Sequence, residues 1–514
     1  MNLNQITQPF LENFPGDFSG NLMQRQTPGV LFSLVEPAHF DHPQLIVFNE
    51  ELSEEIGLGK IDSENDVEFL HSNFIPENLK TYATAYAGHQ FGNWAGQLGD
   101  GRAIFAGQIT NEEGKKTELQ WKGAGATPYS RHADGRAVLR STLREYLMSE
   151  YLYHLGIPTT RALSMSFTGE DVIRDIMYNG NAKAEKGAVM IRTAESFLRF
   201  GHFELLSARK EHDLLQKLAD FAIENYFPEI DVNDEHKYIK WFKIISERTA
   251  DLIVEWFRVG FVHGVMNTDN MSVLGLSIDF GPFSMMDEYN LSFTSNTTDI
   301  PGRRYAFGEQ GKMAQWNLWQ LANALFPLIK DTEKLQKILD GFSDYFWQKH
   351  DEMLTLKFGF DELLEEDLNF FVEWQNLMQD LKIDYALFFT KLESFEEELK
   401  VREHFAEVFY ENLTENQTVQ FDAFIKKYQE RLQKNSISRE ESKNVMSRNN
   451  PKFILRNYLL FECIAEFDNG KKELFNKLLE AIKNPYQEIY PEFSGKRPSK
   501  FDDVVGCTSL SCSS

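Results

Sequence analysis

The stretch His263-Gly-Val265-Met-Asn-Thr-Asp269-Asn270-Met-Ser-Val-Leu-Gly-Leu-Ser-Ile-Asp279-Phe280-Gly281 decides how the chain is read. Residues 263–288 carry no helical period and read as loop and strand. Within them Asn270 and Asp279 offer an amide oxygen and a carboxylate, the hard donors that hold Mg²⁺ beside a triphosphate. Asp269 is a candidate proton acceptor, set against the plainer reading of an Asx-turn or cap residue. Asp-Phe-Gly recurs by chance as a tripeptide, so its weight depends on its surroundings.

Upstream, Gly96-Gln-Leu-Gly99-Asp100-Gly101-Arg102 leads into a strand over 102–110. Glycine permits φ > 0 and lets backbone N–H groups approach phosphate oxygens; a simple hairpin turn is the other reading. A second strand over 116–122 ends on Lys122, with Asn111-Glu-Glu-Gly114 as the turn between the two. A strand lysine beneath a glycine turn can reach phosphates as a point charge, although strand-end lysines are more often surface residues. An amphipathic helix over 136–155, with Leu139, Leu143, Leu147 and Leu155 in helical spacing, offers Glu145 or Glu150 as its ion-pair partner. Arg192 and Arg199, seven residues apart, would share one face of a helix about 10 Å apart along its axis. Two guanidinium forks there can grip a polyphosphate or serve as surface salt-bridge arginines.

In the protein-kinase catalytic loop, His-Arg-Asp-x-x-x-x-Asn, the Asn follows the His by seven residues, as Asn270 follows His263. The catalytic Asp of that loop would fall on Val265, which can neither accept a proton nor orient a hydroxyl. Either the chain is inactive or another base serves, and Asp269 is the substitute. Residues 212–260 read as helical. Beyond Gln315 long helical patterns dominate, with acidic runs on solvated faces. The order of features predicts an α+β, protein-kinase-like bilobal fold: a small β-containing N-lobe, a mainly helical C-lobe and a helical C-terminal extension. The expected boundaries are 1–205 for the N-terminal segment plus N-lobe, 206–345 for the C-lobe core, 346–500 for the extension and 501–514 for a flexible tail.

At 514 residues the chain exceeds one ordinary core, and a hydrophobic fraction of 42% can fill more than one. Lys+Arg 53 against Asp+Glu 78 gives a net charge of -25, which argues against nucleic acid or anionic membranes as partners over a broad surface. A local basic pocket for a phosphate-bearing ligand remains compatible with that sign. Three cysteines, Cys463, Cys507 and Cys512, make neither a disulfide framework nor a zinc pattern. With no signal peptide and no apolar run of membrane length, a soluble cytoplasmic protein is expected.

The stretches Tyr86-Ala-Gly-His-Gln-Phe-Gly92, Gln97-Leu-Gly-Asp-Gly-Arg-Ala103, Gly135-Arg-Ala-Val-Leu-Arg-Ser141, His263 to Met271, Ile278-Asp-Phe-Gly-Pro282 and Asn450-Pro-Lys-Phe-Ile-Leu-Arg-Asn457 resemble the selenoprotein O / YdiU family, from about residue 80 to the C-terminus. The resemblance implies a kinase-like fold that lacks the usual catalytic Asp and performs adenylylation. ATP sits reversed, AMP passes to a Ser, Thr or Tyr hydroxyl of a protein, and pyrophosphate leaves; manganese-dependent transfer of UMP from UTP is also implied. Carried over by position, Gly99, Gly101, Arg102, Lys122, Asp134 and Gly135 would line the nucleotide site. Lys122 would pair with Glu145, and Arg192 and Arg199 would hold the departing phosphates. Asp269 would accept the proton, and Asn270 and Asp279 would hold Mg²⁺ or Mn²⁺. Cys512 occupies the family's third-from-last place; the position three residues earlier is Ser509, so the resemblance raises a Cys507–Cys512 redox pair against a frayed tail with incidental thiols. The segment Gly308-Glu-Gln-Gly-Lys312 departs from the Gln-Pro expected there and reads as a surface loop. The competing readings are a conventional phosphotransferase using Asp269 as base and a non-catalytic ATP-binding scaffold.

Overall fold

Lys116–Lys122 pairs antiparallel with Ala103–Thr110, and the turn between them is set by Asn111. Asn111 Oδ1 accepts the N–H groups of Glu113 and Lys115 at 3.1 and 2.9 Å, the local closure that makes Asn a turn residue. The computed structural model describes residues 1–176, 180–396, 398–502, 504–507 and 510–511.

Among the described residues this hairpin lies at the centre of a nine-stranded sheet. Across the sheet run Gly16–Asp17, Phe32–Leu34, Tyr82–Thr84, Ala103–Thr110, Lys116–Lys122, Lys183–Ala194, Arg161–Arg174 and Gln44–Phe48. Neighbours are antiparallel except the first pair, and Ala137–Val138 adds to Lys183–Ala194. In the central register Gln120 lies opposite Arg192 and Lys122 opposite Met190. Side chains alternate across a strand, so Gln120, Lys122 and Arg192 share one face. Leu119, Trp121, Val189 and Ile191 form the other, packing into a core with Leu52, Ile56, Phe69 and Leu70 of the N-terminal helices.

Against the polar face lies the helix Leu139–His154. It begins three residues later than its leucine pattern predicts, because Ala137–Val138 is drawn into the sheet. It is also not amphipathic in use: nearly every residue from Leu139 to Leu152 is buried. Helices Asn457–Asp468 and Glu473–Lys483 cover the side turned away from the sheet.

The predicted helix over 212–260 is two helices, His212–Tyr226 and Lys237–Val259. Pro228 and an Asp/Asn turn part them, with Asp231 and Asp234 side chains taking the N–H groups of Asn233 and His236. From Gln310 onward the chain is almost wholly helical, as the patterns predict. The acidic runs fall mainly between helices and not along their faces, and Asp367 is buried in a two-bond ion pair with Arg431. Among the described residues no helix is long and apolar enough to cross a membrane.

The sequence predicts a loose tail over 501–514, but described residues there are docked. Cys507, Leu510 and Ser511 are buried. Leu510 donates its N–H to Ser295 O at 3.0 Å and accepts from Thr297 N at 2.8 Å. Burial of Cys507 in the core and the backbone bonds of buried Leu510 outweigh the polar composition. Among the described residues Cys463 and Cys507 are buried and unpaired, burial pushing the Cys507 thiol up to about 11. Cys512, and with it the Cys507–Cys512 pairing, lies outside the described residues.

Candidate active site

A cavity of about 800 Å³ opens between the sheet and the 263–282 segment. Gly99, Gly101, Arg102, Lys122, Asp134, Gly135, Arg192, Asp269, Asn270 and Asp279 all line it. Glu145 and Arg199 stand behind that wall. The turn at its mouth is tight for reasons of packing: a Cβ on Gly99, whose φ is +152°, would lie 2.6 Å from Thr84 O and 2.5 Å from the Tyr129 ring. Between the glycines, Asp100 is buried and takes the Thr84 N–H at 2.9 Å, which fixes the turn against the neighbouring strand. Asp134 is half-exposed, paired with Arg174 at 2.7 Å and bonded to the Arg136 N–H at 2.9 Å.

The inner end of the cavity is a closed network of charge. Lys122 Nζ lies 2.5 Å from Glu145 Oε2 and 3.5 Å from Asp279 Oδ1. Glu150, the other sequence candidate, is turned away and holds Arg161 and the Ala162 N–H. Arg192 bonds Gln120 at 2.7 Å, Glu145 at 3.2 Å, and Asp279 Oδ1. Arg199 bonds Asp279 Oδ2 and, at 2.8 Å, the carbonyl of Asp269. Burial works against the Asp279 charge, but Arg199, Arg192 and Lys122 outweigh it, and its carboxyl is held well below the usual range. Burial depresses Lys122 to about 8 despite Glu145.

The expectation that Arg192 and Arg199 share a helix face is not met. Arg192 is on the strand Lys183–Ala194, and Arg199 caps the helix Phe200–Ala208. They converge because the chain turns between them, so that one carboxylate, Asp279, receives both. Asp279 itself has a left-handed backbone, φ 58°, an uncommon state for a residue other than glycine. Arg199 stacks on the Tyr86 ring, 4.6 Å from its centroid, and it is Tyr86 that reaches the cavity.

The loop end differs. Asp269 is buried, and among the described residues no cation touches its carboxylate. Oδ2 accepts from Gln90 Nε2 at 3.0 Å, while Oδ1 is sealed with no partner among the described residues. Burial raises Asp269 to about 6, with the Gln90 bond and Arg199 acting in the opposite direction. Val265 lines the cavity where a kinase would carry its acid. His263 is a brace: its Nε2 bonds Ile278 O at 2.9 Å and its ring stacks on Trp256. The segment read as a surface loop at 308–312 supports it too. Gln310 is fully buried, accepts the His263 N–H at 3.1 Å and donates to Phe261 O at 3.1 Å.

Asn270 donates its Nδ2 to Val265 O at 2.9 Å, which fixes the amide and leaves Oδ1 as a free oxygen donor. With Asp279 this gives two hard oxygens at one cavity. Among the described residues no group of three or more His, Cys, Asp or Glu is placed to hold a metal. That donor set suits a cation completed by phosphate oxygens and water, as Mg²⁺ commonly is.

Gln90, Tyr86, Gln120 and Gln310 carry the site's geometry and were not singled out from the sequence. Their only signal was membership of a recognisable motif, as with Gln90 in Tyr86–Gly92, since their partners are distant in the chain.

Fold and site together define an α+β protein with a large charged cleft, in which a lysine–glutamate pair and two buried arginines face two acidic loop positions. The chain belongs to the protein adenylyltransferase SelO family, which matches over residues 22–483. It is 48% identical to the protein nucleotidyltransferase YdiU of Cytophaga hutchinsonii across 99% of both chains. Identity is 43% with that of Flavobacterium johnsoniae across 99% of both, and 42% with that of Azoarcus sp. across 98% of both.

Proposed function

We propose that this protein transfers AMP from ATP to Ser, Thr or Tyr hydroxyls of other proteins and releases pyrophosphate. The observation that carries the reading is the charge at the inner end of the cavity. Lys122, Arg192 and Asp279 form a wall suited to phosphate and hostile to a flat apolar base, so a triphosphate points inward and the α-phosphate is left near the loop end. Family membership and the YdiU relatives support the same reaction.

The acceptor hydroxyl oxygen forms a bond to the α-phosphorus as the bond from that phosphorus to the α–β bridging oxygen breaks. Its proton passes to Asp269 Oδ2, the carboxylate oxygen open to the cavity once Oδ1 is sealed. Lys122 and Arg192 meet the charge that grows on the departing pyrophosphate. Arg199 acts through Asp279 and the Asp269 carbonyl, tying the two ends of the site together. Asn270 and Asp279 are the residues that would hold Mg²⁺ or Mn²⁺, which when bound neutralises phosphate charge.

The sheet-bearing half with residues 1–205, the helical core over 206–345 and the extension over 346–500 are assigned as the N-lobe, C-lobe and C-terminal extension of a kinase-like bilobal fold, the cleft lying between the first two. UTP, with UMP as the transferred group, fits the same chemistry at the phosphates. ATP as substrate favours a cytoplasmic setting, with proteins and neither nucleic acid nor membrane as partners. Intact-mass measurement after incubation with ATP and Mg²⁺ or Mn²⁺ tests the proposal: an AMP adduct is expected. A phosphate adduct would favour conventional phosphotransfer using Asp269 as base, and thermal stabilisation by ATP without any adduct would leave a nucleotide-binding scaffold.

A further inference from the structure

The hairpin of Ala87–Gln90 and Asn93–Gln97 packs against the loop that carries Asp269, and three of its contacts fall on consecutive loop residues. Phe91 donates its N–H to Asn267 Oδ1 at 3.1 Å, His89 donates its N–H to Thr268 Oγ1 at 2.7 Å, and Gln90 Nε2 reaches Asp269 Oδ2 at 3.0 Å. Behind the carboxylate stands Gly88. A Cβ there would lie 2.4 Å from Asp269 Oδ1 and 2.9 Å from its Cγ, so any larger residue would push the side chain forward. The carboxylate is thus bounded on two sides by one short strand: a bare backbone behind Oδ1 and an amide donor on Oδ2.

We propose that Gln90, on the shelf made by Gly88, is a positioning residue that fixes the rotation of the Asp269 carboxylate and aims the second lone pair of Oδ2 at the acceptor hydroxyl. This inference rests on the base role proposed above for Asp269. A base is oriented by a third group in many nucleophilic sites, because a rotating carboxylate spends little time in the productive geometry. The hairpin does not depend on Gln90 for its own place. His89 Nδ1 is bonded to buried Glu204 at 2.6 Å, and Tyr305 OH receives the Phe91 N–H at 3.0 Å while bonding Asn267 at 2.5 Å. Gln90 lines the cavity, but its described side-chain bond goes to Asp269 and not to Lys122, Arg192 or Asp279, so its effect on alignment is read in kcat and any effect on nucleotide binding in KM for ATP.

The test is steady-state transfer of α-labelled AMP by the full chain with Gln90→Leu, which keeps the size and removes the donor, and Gln90→Glu, which keeps the shape and faces Asp269 with like charge. Gln90→Leu is expected to lower kcat by about 10–100-fold, with KM for ATP within about twofold of wild type, and Gln90→Glu to lower kcat at least as far. In an Asp269→Asn background, Gln90→Leu is expected to add less than about twofold, because its effect runs through the carboxylate. Wild-type kcat in either single variant would overturn the inference, as would a loss that falls on KM for ATP or recurs undiminished in the Asp269→Asn background. If Asp269→Asn is too slow to read, the kcat-against-KM split of the single variants decides. Wild-type transfer by Asp269→Asn alone would instead overturn the base role itself, a distinct result.

Discussion

Two carboxylates ten residues apart, buried Asp269 and partly buried Asp279, line one cavity and live in opposite electrostatic regimes. Asp279, at the inner end, has a cation on each oxygen and is locked in its charged form. Asp269, at the loop end, has one neutral donor and one empty oxygen, and burial lifts it to about 6. Paired acids pushed apart in this way divide the labour of a site: one stays a fixed charge and the other can exchange a proton. On the proposed mechanism the inner end binds charge and the loop end moves it.

The sharpest way to break that contrast is to empty the inner end. Asp279→Ala leaves Arg192 and Arg199 buried against each other without their shared anion. It should abolish transfer and cost about 3–5 kcal/mol of stability, read as a lowered midpoint of thermal unfolding without nucleotide; an unchanged midpoint would mean that the network is not held by its charge. Asp269→Asn should act on the other regime alone. Transfer is expected to fall by about 10²–10⁴-fold, while stabilisation by ATP stays as in wild type. Lys122→Met removes one cation of the inner wall and leaves Glu145 with Arg192. Because Lys122 is proposed to meet the charge that grows on the leaving pyrophosphate, kcat should fall by about 10–100-fold, with a smaller rise in KM for ATP.

Glu118 provides a reference outside the cleft and the smallest expected effect. Like Asp269 it is buried without a cation, its Oε2 taking the Phe197 N–H at 2.8 Å, and burial pushes it up to about 7. The folded state therefore binds its proton more tightly than the unfolded chain does. Its contribution to stability is full below the unfolded pKa of about 4.5 and declines as pH rises through about 7. Glu118→Gln should remove that decline and narrow the difference in unfolding free energy between about pH 5 and pH 8, by on the order of 1–2 kcal/mol. An undiminished difference would show that Glu118 is not the group responsible.

Much of this site is legible in the sequence because its signals are local. Lys116–Lys122 forms the strand read from the sequence, and the spacing from His263 to Asn270 is held locally, since His263 Nδ1 accepts the Val265 N–H and Asn270 Nδ2 donates to Val265 O. What could not be read depends on distant partners. The seven-residue interval from Arg192 to Arg199 suits a helix face, yet the pairing of Arg192 opposite Gln120 puts it in a sheet. Gln90 meets Asp269 across 179 residues, and nothing in its own neighbourhood encodes that bond. The buried places of Cys507 and Leu510 depend equally on surfaces formed far upstream, at Asn457 and Ser295.

The central claim is that the triphosphate lies with its leaving end against Lys122 and Arg192 and its α-phosphate toward Asp269. Parallel incubations with ATP labelled at the α- or the γ-phosphate test it most directly. Protein-bound label from the α position alone, lost in Asp269→Asn, is the predicted result; protein-bound label from the γ position alone would contradict it.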